Sequence, residues 1–361
     1  MKNFVCFFIL CLIGCTKYEI TEPEDFILES GKIYFHDSIA LDEKGSSFNF
    51  VFNPKIYQDS LLVFGDGSFS TIHLYNLKSG SKIQMYSYLD DINYPLPKTG
   101  FSNSFIKSDS LKLLNFMTNK IYIFSIGSDF LNDIKLQVPE NSTRLNFQPF
   151  FEQINDYYYI SQRMDLPIKK SFLEGKMISI YAKDGSYIKS FGNYPKYYSE
   201  GNLALVKGEN VIYKNDKIYI INSVGIPILK EYSLDGDLLN FYELESEFFN
   251  PELNYFQNSP FDSSPMNQIL TLATDRNKND GIFYLSYVNF SEENPEKPED
   301  FFRLMIMKVD LKNRVIKESE LVGPWHYYEL RTLIPQVNQD TLSILIRGTD
   351  ENLYLKKVTF D

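Results

Sequence analysis

Short apolar runs separated by polar breaks recur along this chain as one unit repeated six times. Each unit opens on Asn, Gln or Ser followed by Asp, continues into an apolar run, breaks, and enters a second run that ends in a polar turn. Gln58-Asp59 leads into Ser60-Leu61-Leu62-Val63-Phe64, then Ile72-His73-Leu74-Tyr75 and the turn Lys78-Ser79-Gly80. Asn215-Asp216 leads into Lys217-Ile218-Tyr219-Ile220-Ile221, then Ile228-Leu229-Lys230-Glu231-Tyr232 and Leu234-Asp235-Gly236-Asp237. The other four units open at Ser108-Asp109, Asn155-Asp156, Asn279-Asp280 and Gln339-Asp340, so the aspartates stand 50, 47, 60, 64 and 60 residues apart. Alternating apolar residues bounded by Asp-Gly and Ser-Gly turns predict short antiparallel strands joined as hairpins.

Units of this length cannot close a core alone and must stack on their neighbours, which is the pattern of propeller blades. The predicted fold is all-β, a six-bladed β-propeller of four-stranded antiparallel blades. A pair of β-sandwiches or a seven-bladed ring fits the same strand pattern. The last unit reaches Asp361 after its third strand. A fourth strand must therefore come from the N-terminal side, and Gly31-Lys32-Ile33-Tyr34-Phe35-His36 and Ser46-Ser47-Phe48-Asn49-Phe50-Val51-Phe52 are the two candidates. Closure of this kind removes the exposed sheet edge of an open stack.

Met1-Lys2-Asn3 precedes an unbroken apolar run from Phe4 to Ile13, which as a helix would extend only about 15 Å, half of what a bilayer requires. Leu12-Ile13-Gly14-Cys15 resembles the lipobox of bacterial lipoproteins. The resemblance implies a signal peptide over 1–14, cleavage after Gly14 and lipid attachment to Cys15. All three cysteines (Cys6, Cys11, Cys15) lie in this leader segment, so the sequence beyond Cys15 offers no thiol for a disulfide, a nucleophile or a metal site. Several acyl chains on one terminus suffice for stable anchoring. Thr16 rather than Asp after the cysteine implies an outer-membrane destination. Glu19, Glu22, Glu24 and Asp25 make residues 15–30 an acidic tether, leaving 31–361 as a single propeller domain.

Together the lipobox, the six units and the Phe-, Tyr-, Ile-, Lys- and Asn-rich wording resemble the six-bladed β-propeller lipoproteins of Bacteroidota, many of them domains of unknown function. The resemblance covers nearly the whole mature chain and implies a TolB-like or NHL-like fold. It implies no particular chemistry.

Loss of Lys2 with the leader leaves 35 basic against 47 acidic residues, a formal net charge of −12, which excludes nucleic acid as a partner. The 26 Tyr and 30 Phe fall at alternating positions in short runs, so they read as core-forming strand residues more than as stacking platforms for sugars. Sites for chemistry are sparse. With only His36, His73 and His326 there is no His/Cys metal cluster, and neither a nucleophile elbow nor a phosphate-binding Gly-rich loop occurs. No cofactor is expected. Carboxylates for a glycosidase could come from Asp66, Asp90-Asp91 or Glu200, although Asp before Gly at Asp66, Asp184 and Asp235 also reads as turn formation.

The segment Gly323-Pro324-Trp325-His326-Tyr327-Tyr328-Glu329-Leu330-Arg331 holds the single Trp, and Tyr94 and Tyr197 occupy comparable positions between units. Trp325, His326, Arg331, Tyr94 and Tyr197 are the candidate binding residues, since amphipathic rings favour binding surfaces. Asp37-Ser38-Ile39, Asp59-Ser60-Leu61, Asp109-Ser110-Leu111 and Asp340-Thr341-Leu342 resemble the O-glycosylation acceptor of Bacteroidota, and a strand start explains them equally. The expectation is a monomeric, outer-membrane, lipid-anchored module that binds a protein or glycan. The alternative is a carbohydrate-active enzyme with channel-facing carboxylates.

Overall fold

The computed structural model describes residues 25–42, 51–66, 71–86, 101–107, 109–115, 118–126, 129–139, 144–145, 150–163, 174–195, 209–249, 268–290, 302–323, 333–338, 340–350 and 352–361. Their strands form six antiparallel blades. Blade 1 is Val51–Tyr57, Leu61–Asp66, Thr71–Asn76 and Lys82–Tyr86, and blade 2 is Phe101–Lys107, Ser110–Asn115, Lys120–Ser125 and Phe130–Lys135. Blade 3 is Phe151–Ile154, Tyr157–Arg163, Lys176–Ala182 and Tyr187–Asn193, and blade 4 is Glu209–Lys214, Lys217–Asn222, Ile228–Ser233 and Leu238–Glu243. Blade 5 is Gln268–Ala273, Ile282–Phe290, Phe302–Asp310 and Val315–Glu320. Blade 6 takes Leu333–Asn338, Thr341–Arg347 and Leu353–Phe360 from the C-terminus and Ile33–Ala40 from the N-terminus. The fold is a six-bladed β-propeller.

Closure uses the first of the two N-terminal candidates: Ile33–Ala40 pairs antiparallel with Leu353–Phe360, with a bulge between Phe35 and Ser38. Val51 and Phe52, the end of the second candidate, instead start the strand Val51–Tyr57 that begins blade 1. Asp42 N then donates to Gly80 O at 2.9 Å, carrying the closing strand's exit onto blade 1. Ile27–Ser30, within the segment read as a tether, adds a parallel strand to the outer edge of blade 5, and Phe26 beside it is buried.

The core is six separate clusters, one at each interface between consecutive blades. Strand alternation explains how one blade supplies two of them. On Leu61–Asp66, Leu62 and Phe64 face blade 6 while Val63 faces blade 2. On Lys217–Asn222, Ile218 and Ile220 face blade 3 while Tyr219 and Ile221 face blade 5. Because both faces of the middle strands are covered, these strands read as continuous apolar runs. The fourth strands lie outermost except in blade 5, where Ile27–Ser30 lies beyond Val315–Glu320, and they are more exposed than the middle strands, as at Leu238–Glu243. Tyr75, Tyr158, Tyr181, Tyr284 and Tyr287 are all fully buried, so the aromatic surplus fills the spaces between blades.

Gln58-Asp59, Asn155-Asp156 and Asn215-Asp216 form the turns between the first and second strands of their blades, and Asn279-Asp280 lies towards the end of the longer connection 274–281. Both central residues of a type I′ hairpin turn need positive φ, and Gln58 and Asp59 sit at 49° and 50°, Asn215 and Asp216 at 50° and 58°. The Asp-Gly turns join the third and fourth strands. Gly185 (φ 86°) and Gly236 (φ 83°) donate their amides to Ala182 O and Ser233 O, each at 2.9 Å, and the Asp184 carboxylate accepts from the Ser186 amide. Asp66 is the last residue of its strand, buried and paired with Thr71, and Gly67 after it lies outside the described residues. Ser60, Ser110 and Thr341, in the resemblances to glycan acceptors, directly follow first turns, and Ser110 Oγ donates to Lys107 O at 3.0 Å.

Candidate functional site

The first strand of every blade lines the ring axis, and between them lies a cavity of about 370 Å³. One sequence rule generates its wall. The residue three positions ahead of each Asn/Gln/Ser–Asp pair is Lys55, Phe105, Glu152, Ile212, Arg276 and Gln336, and all six line the cavity. Inward-facing positions alternate along a strand, so a fixed count from a fixed turn returns the same face each time. In blade 5 the inner connection is longer, and Arg276 reaches the axis from beyond the strand end.

The charged members come from alternate blades: Lys55 from blade 1, Glu152 from blade 3, Arg276 from blade 5. Arg276 spans the ring to Glu152 as a two-pronged pair, Nη1 on Oε1 and Nη2 on Oε2 at 3.0 Å. This fork geometry is the strong form of a charge-assisted contact. The Glu152 side chain is only 6% exposed and that of Arg276 46%, so the carboxylate is sealed while the arginine side chain is partly exposed at the mouth formed by the first turns. Lys55 donates to Ser104 O (3.0 Å) and Phe151 O (3.1 Å), pinning blade 1 to blades 2 and 3. Its ammonium also stands 5.7 Å from the Phe105 ring centre. Burial pulls the Lys55 pKa down to about 8, Glu152 opposing the shift and Arg276 adding to it. Burial also pushes the Tyr57 phenol well above its ordinary range, with the Ile106 backbone pulling the other way.

Around the same mouth, polar contacts staple neighbouring blades. Lys112 donates to Gln153 and, at 3.2 Å, to the Tyr158 hydroxyl, and burial with nearby Lys107 and Lys183 lowers its pKa to about 8. Buried Lys214 joins blade 4 to blade 5 through Thr274 Oγ1 (2.7 Å) and Asp280 (2.9 Å). Gln336 Nε2 donates to Asp59 Oδ1 at 2.5 Å, linking blade 6 to blade 1. Among the described residues no group of three or more His, Cys, Asp or Glu could hold a metal ion.

Of the sequence-derived site residues, Cys15, Tyr94, Tyr197, Trp325, His326 and Arg331 lie outside the described residues, as do Asp90, Asp91 and Glu200. His36 is exposed on the closing strand, its Nε2 2.9 Å from Thr359 Oγ1, and His73 is buried in blade 1 with Nε2 2.8 Å from Thr71 Oγ1. The axial set of Lys55, Glu152 and Arg276 was missed by sequence reasoning. A polar or charged residue at a fixed offset from the repeated turn was the signal that could have found it.

Neither a family model nor a curated protein matches the sequence of this chain. Among solved structures, a member of the DUF4221 family from Bacteroides vulgatus matches with a TM-score of 0.65 at 12% identity, over 92% of this chain and 98% of that one. An exported protein of Bacteroides fragilis matches with a TM-score of 0.55 at 11% identity, over 92% and 95% of the two chains. At such identities the likeness is one of fold, and what this chain shares with these Bacteroides proteins is the β-propeller.

Proposed function

We propose that the protein is a lipid-anchored binding module of the bacterial outer membrane, a monomeric ring that holds a protein or glycan partner without turning it over. The observation that supports this reading is the state of Glu152, one of two carboxylates in the described wall of the cavity. Both oxygens of Glu152 are committed to Arg276. Two-carboxylate glycoside hydrolysis needs one group that carries a proton and a second that is free to attack or to activate water. A carboxylate clamped across the ring serves neither role and instead ties blade 3 to blade 5. The anchor is carried by the lipobox alone.

Two measurements test the reading. The native protein should partition into detergent and carry a diacylglyceryl mass on Cys15, and Cys15→Ser should release it to the aqueous phase. The intact chain incubated with a panel of glycans should generate no new reducing ends or unsaturated products. Turnover abolished by Glu152→Gln or Glu209→Gln would establish the enzyme reading in its place, since both carboxylates line the cavity.

A further inference from the structure

We infer that the axial cavity binds a single sugar carrying one carboxylate, with the Lys55 ammonium as the group that recognises the acid. The inference rests on the binding-module reading and names its ligand. Lys55 forms no ion pair among the described residues; its two hydrogen bonds go to backbone carbonyls, so one N–H of the ammonium remains for another acceptor. Arg276, the other cation of the wall, is already matched by Glu152. Within the set Lys55, Arg276 and Glu152 one positive charge is therefore left over, and Glu209, the other carboxylate of the described wall, is not among the charges that act on Lys55. Glu152 and, further along the wall, Glu209 set carboxylates near any guest, so a monoanion fits where a dianion such as phosphate meets repulsion.

The rest of the wall matches a sugar. Phe105, Phe150 and Tyr57 line it together with Asn and Thr residues, a mixture of aromatic and polar groups. Thr271 Oγ1 is buried in this wall without a hydrogen-bond partner among the described residues. A buried hydroxyl left unpaired costs free energy that a bound hydroxyl or ordered water removes. At about 370 Å³ the cavity lies in the range of small-molecule sites and suits one sugar unit rather than a polymer.

Glu152, Arg276, Tyr57 and Glu209 are the titratable groups of the described wall besides Lys55, and of these Glu152 and Arg276 act on its charge. Burial leaves Lys55 with a pKa of about 8 in the free protein, so the ammonium predominates at pH 7 and is lost above it. If binding requires the charged form, apparent affinity falls by the charged fraction, ~30-fold between pH 7 and pH 9.5.

Calorimetry on the intact chain with D-glucuronate, D-glucose, acetate and inorganic phosphate tests the inference. The expected result is saturable 1:1 binding of glucuronate at pH 7, with glucose, acetate and phosphate each at least ~10-fold weaker. Lys55→Gln should reduce glucuronate affinity by at least ~10-fold, and Lys55→Arg should retain it while abolishing its fall above pH 8, because guanidinium does not titrate there. Should Lys55→Gln not fold, the pH profile of Lys55→Arg decides. Glucose or acetate matching glucuronate, no glucuronate binding at all, or a Lys55→Arg profile identical to the parent would overturn the inference. None of these touches the binding-module reading, which fails on product formation instead.

Discussion

The clamp across the ring should fail asymmetrically. Removing Arg276 as Arg276→Met leaves the Glu152 carboxylate, whose side chain is 6% exposed, buried with no opposite charge. Breaking a buried pair from one side costs about 3–5 kcal/mol, and the open mouth beside Arg276 places this case near the lower end, about 3 kcal/mol. Removing the charge at the other end as Glu152→Gln leaves an arginine whose side chain is 46% exposed, so that loss should be smaller, about 1 kcal/mol. The double variant Glu152→Gln/Arg276→Met has no stranded charge, and its stability should lie nearer to Glu152→Gln than to Arg276→Met. Urea denaturation of the four proteins followed by circular dichroism measures this, with midpoints shifting at unchanged slope. The reasoning is refuted if Glu152→Gln costs as much as Arg276→Met, or if the two single losses simply add in the double variant.

Three further outcomes follow from local geometry. Burial, with Lys82 nearby, lowers the His73 pKa to about 3, so the unfolded chain binds more protons than the folded one between pH 6.5 and about 3. Stability should fall as pH drops through that window, by up to about 5 kcal/mol from this residue, and His73→Asn should flatten this part of the pH profile. Gly236 has φ 83° and a Cβ there would come within 2.6 Å of Phe191, whereas Gly281 has φ 74° with nothing nearer than 3.7 Å. Gly236→Ala should therefore lower the urea midpoint by clearly more than Gly281→Ala, which bears only the backbone strain of about 1 kcal/mol. Deleting residues 33–40 uncovers the edge of Leu353–Phe360, and the truncated chain should elute as oligomer or aggregate on size exclusion, a monomer speaking against strand closure.

Much of the fold was legible in the sequence because hairpin turns and middle strands are locally determined. Asn215-Asp216 takes positive φ at both positions because Asn and Asp tolerate the left-handed region, and Ile218-Tyr219-Ile220-Ile221 is apolar throughout because it has a neighbour on each face. The outer strands carried a weaker signal: Leu238–Glu243 is largely exposed, so packing constrains its pattern less. The axial site was legible only as an unexploited offset from the repeated turn.

The sequence by itself determined the six repeated units, the position of most of their turns and the two candidates for the closing strand. Each of these depends on residues near one another in the chain or on a count. Only the tertiary structure decided that Ile33–Ala40 closes the ring while Val51–Tyr57 lines its axis, and that Glu152 meets Arg276 from 124 positions away. Circular closure alone brings first strands to a common axis, so the partner of each axial charge is set by the ring and by no local pattern of residues.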